Sequence, residues 1–258
     1  MASLPRFYCP TPLQSQSELS LPASTARHVQ VLRLQPGDAI TLFQGGGGEF
    51  KATVVQMGRS DVRVLVGEHS LVERELGVRV HLWAGLTANE RMDWLVEKAT
   101  ELGAASLLPI MAERSVLKLK GDRAEKKLAH WQAIAVAASE QCGRNRVLQL
   151  DSPMSLAEAL QSPASPKGDA PRWILSLADG AMGLAQAMQK LKSADTGVVR
   201  ELTLLSGPEG GLSPAEETQA LAAGFLPVSL GTRTLRAETS PLAALSALGL
   251  MEGHFRPA

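Results

Sequence analysis

The chain has 258 residues, 45% of them hydrophobic and 20% charged, a composition typical of globular proteins and unlike that of disordered or fibrous ones. Lysine plus arginine equals aspartate plus glutamate at 26 each, so the chain lacks the basic excess of a general polyanion binder. Cys9 and Cys142 show no metal-ligand spacing, and no apolar run reaches the roughly 18 residues of a membrane span. Prolines interrupt the N-terminal stretch where a signal peptide needs an apolar run. We therefore expect a cytoplasmic protein that uses no metal and no membrane.

The first part of the chain is rich in short strand patterns. Runs 38–43, 50–57 and 61–69 carry valine, threonine or phenylalanine at many positions. The four glycines within 44–49 resemble a phosphate-binding loop, but the Lys-Ser/Thr and helix that such a loop needs do not follow them. They predict a hairpin loop instead. The pattern predicts a small β-barrel domain over residues 1–74.

From residue 75 to 258, strand patterns alternate with amphipathic helix patterns. Strands are predicted at 78–86, 106–111, 172–178, 201–207 and 225–231, and helices at 90–104, 123–141 and 183–192. This alternation predicts an α/β domain with a mostly parallel sheet covered on both faces. Trp94, Trp131 and Trp173 fall within these apolar patterns and are predicted to pack in the core.

A glycine-rich turn follows the strand predicted at 201–207. Gly207, Gly210 and Gly211 allow the backbone to bend and a ligand to approach it closely. Ser213 and Glu216 then form the Ser-x-x-Glu pattern of a helix capping box. Ligands of open α/β sheets bind beyond the carboxyl ends of strands, where this turn lies, but a tight connection without a ligand fits the pattern equally well.

A second polar loop follows the strand predicted at 225–231. It carries Arg233, Arg236, Glu238, Thr239 and Ser240 between two apolar segments. So many polar groups between buried elements require partners. A ligand site would supply these partners, and a structural network of arginine and glutamate at a domain or subunit contact is the alternative.

The motifs "GPEGGLSPAE" and "LGTRTLRAETS" in these two loops closely resemble the cofactor-loop signatures of the 16S rRNA uracil-N3 methyltransferases, a family of the SPOUT superfamily. Thr234 and Ser240 depart from the residues common in that family. Further motifs resemble the family in the expected order: "RFY" at 6–8, "HVQVLRLQPGD" at 28–38, "RMDWLVEKATELG" at 91–103, "ERSV" at 113–116 and "SEQCGR" at 139–144.

The resemblance implies a fold and an activity. It implies a PUA-like β-barrel over 1–74 that binds RNA, then a SPOUT-type parallel sheet over 75–258 whose C-terminal segment forms a trefoil knot. The implied cofactor is S-adenosylmethionine, the implied assembly is a homodimer, and the implied reaction is methylation of N3 of a uridine in 16S rRNA. The alternatives are a methyltransferase for another rRNA or tRNA nucleotide, and a non-catalytic RNA-binding assembly factor.

The two loops are predicted to form the walls of the cofactor site. Glycine backbone admits adenine and ribose at close range, and leucines offer an apolar slot for adenine. A carboxylate such as Glu209 disfavours a phosphate ligand but tolerates a positively charged sulfonium. The predicted cofactor residues are Leu177, Leu205, Gly207, Pro208, Glu209, Gly210, Gly211, Leu230, Gly231, Leu235 and Thr239.

Two residues are predicted to be catalytic. Uracil N3 becomes nucleophilic as it loses its proton, and the negative charge then spreads onto the flanking carbonyl oxygens. Arg236 is predicted to stabilise that charge, because a guanidinium reaches planar acceptors. Glu238, or alternatively Glu209, is predicted to accept the proton, since neither loop contains a histidine.

Basic residues in other motifs are predicted to contact RNA phosphates, although each alone reads equally well as a solvated surface charge. The predicted RNA-binding residues are Arg6, His28, Arg33, Arg114, Lys118 and Arg144.

Overall fold

A computed structural model describes residues 4–59, 61–162, 170–193 and 201–251. The chain divides into two compact units. The first contains the residues up to 75 together with 136–147, and the second contains 76–135 together with the residues from 148 onward. The predicted division at residue 74 did not place residues 136–147 in the first unit.

The first unit contains a mixed five-stranded sheet with the strand order β1-β3-β4-β5-β2, in which only the β1–β3 pair is parallel. Alternate residues of β4 and β5 point into its core, including Val54, Val62 and Val64. Two short strands and helix α1 were not predicted. The elements are β1 Arg6–Tyr8, β2 Glu18–Ser20, α1 Ala23–Val31, β3 Ala39–Phe43, β4 Glu49–Met57 and β5 Val62–Ser70.

The glycine-rich segment between β3 and β4 is a hairpin loop, as predicted. Gly45, Gly47 and Gly48 adopt positive φ angles of 85°, 111° and 68°, a region that side chains disfavour. The Gly48 N–H donates to Glu73 Oε1 at 2.7 Å. These glycines therefore shape a turn within the first unit.

Hydrogen bonds and ion pairs connect residues 143–147 to the rest of the first unit. Arg6 Nη1 lies 2.6 Å from Glu49 Oε2, and the same guanidinium donates to Asn145 Oδ1. Arg144 pairs with Glu75, and its side chain is almost fully buried. These contacts explain why 136–147 belongs to this unit although it is distant in sequence.

The second unit is built on a seven-stranded sheet in which every pair is parallel, with the order β10-β12-β9-β11-β6-β7-β8. Leu202, Leu204 and Leu205 of β11 are fully buried, as expected for a strand covered on both faces. The residues of α3 from 136 onward belong to the first unit. The elements are β6 Arg79–Gly85, α2 Asn89–Glu101, β7 Ser106–Ile110, α3 Asp122–Cys142, β8 Gln149–Leu150, α4 Leu156–Gln161, β9 Arg172–Leu175, β10 Met182–Gly183, α5 Leu184–Ser193, β11 Glu201–Ser206, α6 Pro214–Ala222, β12 Leu226–Ser229 and α7 Thr239–Met251.

The strand order creates a switch point beside β6. From β6 the chain proceeds outward to β7 and β8, while β11 pairs with the opposite edge of β6. The predicted alternation of strands and helices is confirmed, but α4, β8 and β10 were not predicted. The strand predicted at 172–178 ends at Leu175. Ligands of open α/β sheets bind at such switch points, so a site is expected beyond the carboxyl ends of β6 and β11.

The prediction that all three tryptophans pack in the core is wrong for Trp94. Trp131 and Trp173 are buried, whereas Trp94 is 43% exposed. Met92 and Leu95 lie on the buried stripe of α2, and at 100° per residue Trp94 falls outside that stripe.

The start of α6 confirms the predicted capping box. Ser213 Oγ accepts from the Glu216 N–H, and Glu216 Oε2 accepts from the Ser213 N–H at 2.8 Å. The other carboxylate oxygen, Glu216 Oε1, accepts from the Glu113 N–H at 3.0 Å. This buried carboxylate therefore joins α6 to the loop that follows β7.

We expect Glu216→Ala to lower the free energy of unfolding by about 1–3 kcal/mol, because two backbone N–H groups lose their acceptor. Urea unfolding monitored by circular dichroism measures this change. The control, Gln219→Ala, truncates an exposed side chain of the same helix and should change stability by less than about 0.5 kcal/mol. Equal effects of the two substitutions would contradict the structural role of Glu216.

Within the described residues, no helix is long and apolar enough to cross a bilayer. The same residues contain no cluster of three or more histidine, cysteine, aspartate or glutamate side chains that suits a metal ion.

Candidate functional site

A cavity of about 540 Å³ lies at the carboxyl ends of β9, β11 and β12 in the second unit. Its volume falls within the roughly 300–1,000 Å³ of small-molecule sites. The predicted cofactor residues that line it are Leu177, Gly207, Pro208, Glu209, Gly210, Gly211, Leu230 and Leu235. The two loops singled out in the sequence therefore meet around one cavity.

The glycine loop, which we define as residues 207–212, forms one wall of the cavity. A Cβ atom on Gly207 would lie 2.9 Å from the Leu212 backbone nitrogen. Gly211 has a φ of +70°, and its N–H donates to the Pro208 carbonyl at 2.8 Å. Close backbone packing and a left-handed turn thus require glycine at these two positions.

The end of β6 also contacts the glycine loop. A Cβ atom on Gly85 would lie 2.2 Å from the Pro208 backbone nitrogen and 2.6 Å from the carbonyl carbon of Gly207. The two backbones therefore touch, and no side chain fits between them. Gly85 belongs to the predicted strand at 78–86, but the sequence did not identify it as a site residue.

The carboxylate of Glu209 is held by two donors. Arg91 Nη1 lies 3.1 Å from Glu209 Oε1, and the Ala88 N–H donates to the same oxygen at 3.1 Å. Ala88 caps the start of α2, where a negative charge interacts favourably with the helix dipole. Arg91 itself lines the cavity. Arg91 was not among the predicted site residues, although it begins the motif at 91–103 and follows the end of a strand.

Of the two predicted catalytic residues in the second loop, Arg236 lines the cavity and Glu238 does not. Arg236 is exposed and lines the cavity, and its backbone carbonyl accepts from the N–H groups of Thr239 and Ser240 at the start of α7. Glu238 does not line the cavity and is only 7% exposed. Its Oε1 lies 3.9 Å from Arg91 Nε, and its Oε2 has no hydrogen-bond partner among the described residues.

Three predicted cofactor residues lie beside the cavity lining rather than in it. Leu205 is fully buried in a core cluster with Trp83. Gly231 is exposed at a φ of +112°, and its N–H donates to Ser229 Oγ. Thr239 is the first residue of α7. The structure therefore does not bring these three into the lining.

The lining carries more positive than negative charge. Arg91, Arg233 and Arg236 contribute three guanidinium groups, whereas Glu209 and Glu217 contribute two carboxylates. Arg233 and Arg236 are both exposed. Such a rim suits an anionic partner at the cavity mouth, while the glycine backbone and leucines suit a small ligand inside.

The predicted RNA-binding residues of the first unit differ in accessibility. The Arg6 side chain is 11% exposed, and Arg144 is buried, so both guanidinium groups are engaged in the ion pairs described above. His28 is exposed, and its Nδ1 lies 3.2 Å from Glu140 Oε2. Burial raises the pKa of Glu140. The hydrogen bond from the Tyr8 N–H and the interaction with His28 lower this pKa, but their effect is smaller.

The remaining residues of that prediction are exposed. Arg33, in the first unit, has a positive φ of 56°. In the second unit, Arg114 Nη1 donates to the carbonyls of Gly210 and Leu212 at 3.1 and 3.2 Å, and Lys118 Nζ donates to the Ala112 carbonyl. RNA contact by all six residues stays a prediction.

A parallel sheet with a small-molecule cavity beyond its strand ends defines an α/β ligand-binding protein. The profile described as an RNA methyltransferase domain matches residues 74–249, and the profile of an RNA methyltransferase PUA domain matches residues 21–66. The chain belongs to this family of RNA methyltransferases.

Relatives and solved structures resemble the chain over most of its length. Ribosomal RNA small subunit methyltransferase E of Bacillus subtilis (strain 168) is 34% identical over 220 residues, covering 85% of this chain and 84% of the relative. A putative methyltransferase from Legionella pneumophila, solved with its bound cofactor SAM, matches with a TM-score of 0.86 and 31% identity, covering 97% and 98% of the two chains. Ribosomal RNA small subunit methyltransferase E from Neisseria gonorrhoeae, bound to S-adenosyl methionine, matches with a TM-score of 0.85 and 32% identity, covering 96% and 98%.

Proposed function

We propose that this chain transfers a methyl group from S-adenosylmethionine to N3 of a uridine in 16S rRNA. The observation that carries the proposal is the cavity formed by the glycine loop and the Arg236 loop at the switch point of the sheet. The family membership and the SAM-bound structures of similar proteins support the same reaction.

The residues of the cavity fit this cofactor. The glycine loop brings bare backbone to the cavity, which adenine and ribose can approach closely, and Leu177, Leu230 and Leu235 add apolar surface. The carboxylates of Glu209 and Glu217 line the same cavity and tolerate a cationic group. When bound, S-adenosylmethionine supplies an electrophilic methyl group.

The residues of the chain position the nucleophile and handle its proton. Arg236, which lines the cavity, is the residue proposed to stabilise the negative charge that develops on the uracil carbonyl oxygens as the N3 proton leaves. Glu238 is the proposed acceptor of that proton: its Oε2 has no hydrogen-bond partner among the described residues, and the carboxylate must turn toward the cavity, which it does not line in this structure. Glu209 is the alternative acceptor, but its Oε1 already accepts hydrogen bonds from Arg91 and Ala88.

Methyl transfer to small ribosomal subunits that lack the native uracil methylation tests the proposal. We expect label from S-adenosylmethionine to appear as 3-methyluridine, identified by mass spectrometry of the nucleosides. Label on another nucleoside would overturn the substrate assignment while keeping the cofactor. Binding to the subunit without transfer would favour a non-catalytic assembly factor.

RNA binding should weaken steeply as the salt concentration rises. Each phosphate contact with single-stranded RNA contributes a slope of about −0.7 to a plot of log K against log salt. Filter binding of a 16S rRNA fragment at several potassium chloride concentrations measures this slope. A flat response would contradict an interface led by phosphate contacts.

We also propose that the protein is a homodimer with a trefoil knot and acts in the cytoplasm, where its ribosomal substrate is found. The strand order, with β11 between β9 and β6 and β12 between β10 and β9, supports the knot.

The proposed dimer interface is apolar. Trp94 on α2 and Leu250 on α7 are exposed, and these two helices pack together. Sedimentation analysis that finds a monomer would contradict the dimer.

A further inference from the structure

The glycine loop has few side chains with which to hold its own shape. Gly207, Gly210 and Gly211 carry none, and within the loop the structure shows the hydrogen bond from the Gly211 N–H to the Pro208 carbonyl. Glycine backbone has much conformational freedom to lose, so a loop of this composition is costly to order. The contacts that fix it must come from neighbouring elements.

Arg91 contacts the loop from the first turn of α2, the helix that follows β6. Its Nη1 lies 3.1 Å from Glu209 Oε1, and the Ala88 N–H reaches the same oxygen. Its Nε lies 3.9 Å from Glu238 in the second loop. One guanidinium thus lies between carboxylates that follow β11 and β12.

Arg114 contacts the glycine loop from the segment that follows β7. Its Nη1 donates to the carbonyls of Gly210 and Leu212, on either side of the Gly211 turn. A Cβ atom on Gly210 would lie 3.0 Å from the Arg114 Cβ, so the Arg114 side chain also packs closely against the loop backbone. Hydrogen bonds from a charged donor to carbonyl oxygens are stronger than neutral ones.

We propose that Arg91 and Arg114 are positioning residues that hold the glycine loop in its cofactor-binding shape before the cofactor arrives. The inference rests on the proposed function, because it takes the cofactor to be S-adenosylmethionine. A loop that is already ordered binds its ligand without the entropic cost of ordering. The proposal also gives Arg114 a role that differs from the predicted RNA contact.

The first experiment separates loop positioning from RNA contact at Arg114. In Arg114→Ala, we expect faster hydrogen exchange at the Gly210, Gly211 and Leu212 amides of the cofactor-free protein. We expect binding of S-adenosylmethionine, measured by calorimetry, to weaken about tenfold, the effect of losing a charge-assisted hydrogen bond. The KM for S-adenosylmethionine should rise with little change in kcat, and Arg114→Lys should restore part of the affinity.

The control for this experiment is Lys120→Ala, which removes an exposed charge from the same segment. We expect it to leave hydrogen exchange in the glycine loop and cofactor affinity unchanged. Unchanged exchange and cofactor affinity in Arg114→Ala, together with weaker RNA binding at saturating cofactor, would overturn the proposal for Arg114 and favour the RNA contact.

The second experiment is a double-mutant cycle on cofactor affinity with Arg91→Ala, Glu209→Gln and the double variant. If Arg91 acts by holding Glu209, the double variant should bind S-adenosylmethionine about as weakly as the weaker single variant. Additive losses would overturn the proposal for Arg91. Circular dichroism and thermal unfolding of each variant verify that the sheet is intact.

Failure of the inference differs from failure of the proposed function. If the wild-type protein does not bind S-adenosylmethionine, the proposed function fails. The loop contacts are then still tested by hydrogen exchange of the cofactor-free variants. If the wild-type protein binds the cofactor and neither arginine variant changes exchange or affinity, only the positioning role fails.

Discussion

Arg236→Ala should lower kcat for methyl transfer by about 10²–10³ while the affinity for S-adenosylmethionine changes little. This magnitude is typical of removing one donor that stabilises a developing oxyanion. Arg236 lines the cavity and is exposed, and no side-chain ion pair of Arg236 is found within the described ranges. Single-turnover methylation of small subunits measures the chemical step, and calorimetry measures cofactor affinity.

The neighbouring Arg233→Ala is the matched control for Arg236. Both guanidinium groups line the cavity from the same loop, so both substitutions remove one positive charge from its rim. We expect Arg233→Ala to weaken RNA binding with a smaller effect on the single-turnover rate. Equal losses of rate and cofactor affinity in Arg236→Ala would assign Arg236 to cofactor binding or to the structure of the loop instead of to charge stabilisation.

Gly85→Ala should weaken S-adenosylmethionine binding by about a hundredfold or more and lower the thermal midpoint by several degrees. The new methyl group would lie 2.2 Å from the Pro208 backbone nitrogen, and a backbone contact cannot be relieved by rotating a side chain. Overpacking of this kind lowers the free energy of unfolding by about 1–3 kcal/mol. In a domain of this size, each kcal/mol lowers the thermal midpoint by roughly 2–4 °C. Because Pro208 lines the cavity, moving its backbone would change the shape of the cavity.

Gly183→Ala controls for the general effect of adding a methyl group to a strand of the same sheet. Gly183 lies in β10, and among the described residues no atom beyond Gly183 and its two chain neighbours lies within 4 Å of the position its Cβ would occupy. We expect normal cofactor binding and an unchanged thermal midpoint. If Gly85→Ala binds S-adenosylmethionine as tightly as Gly183→Ala does, the close approach of β6 to the glycine loop has no role in the site.

Patterns that depend on neighbours along the chain predicted much of the second unit. Alternating strand and helix periods indicated the parallel sheet, and the Ser-x-x-Glu pattern predicted the capping box at Ser213. Short or irregular elements such as β8 and α4 were missed, since a few residues carry too little periodicity. Trp94 was misplaced because its apolar side chain was counted with the core, although the 3.6-residue period puts it outside the buried stripe of α2.

The sequence by itself determined the two loops that carry the family's motifs, because a glycine turn and a capped helix are local features. Only the tertiary structure decided which side chains meet there. Arg91 and Glu209 are 118 residues apart, and Arg6 and Arg144, two of the predicted RNA-binding residues, form ion pairs within the first unit. A charged residue has the same local pattern whether it is solvated or paired, since its partner is chosen by how distant strand ends pack together.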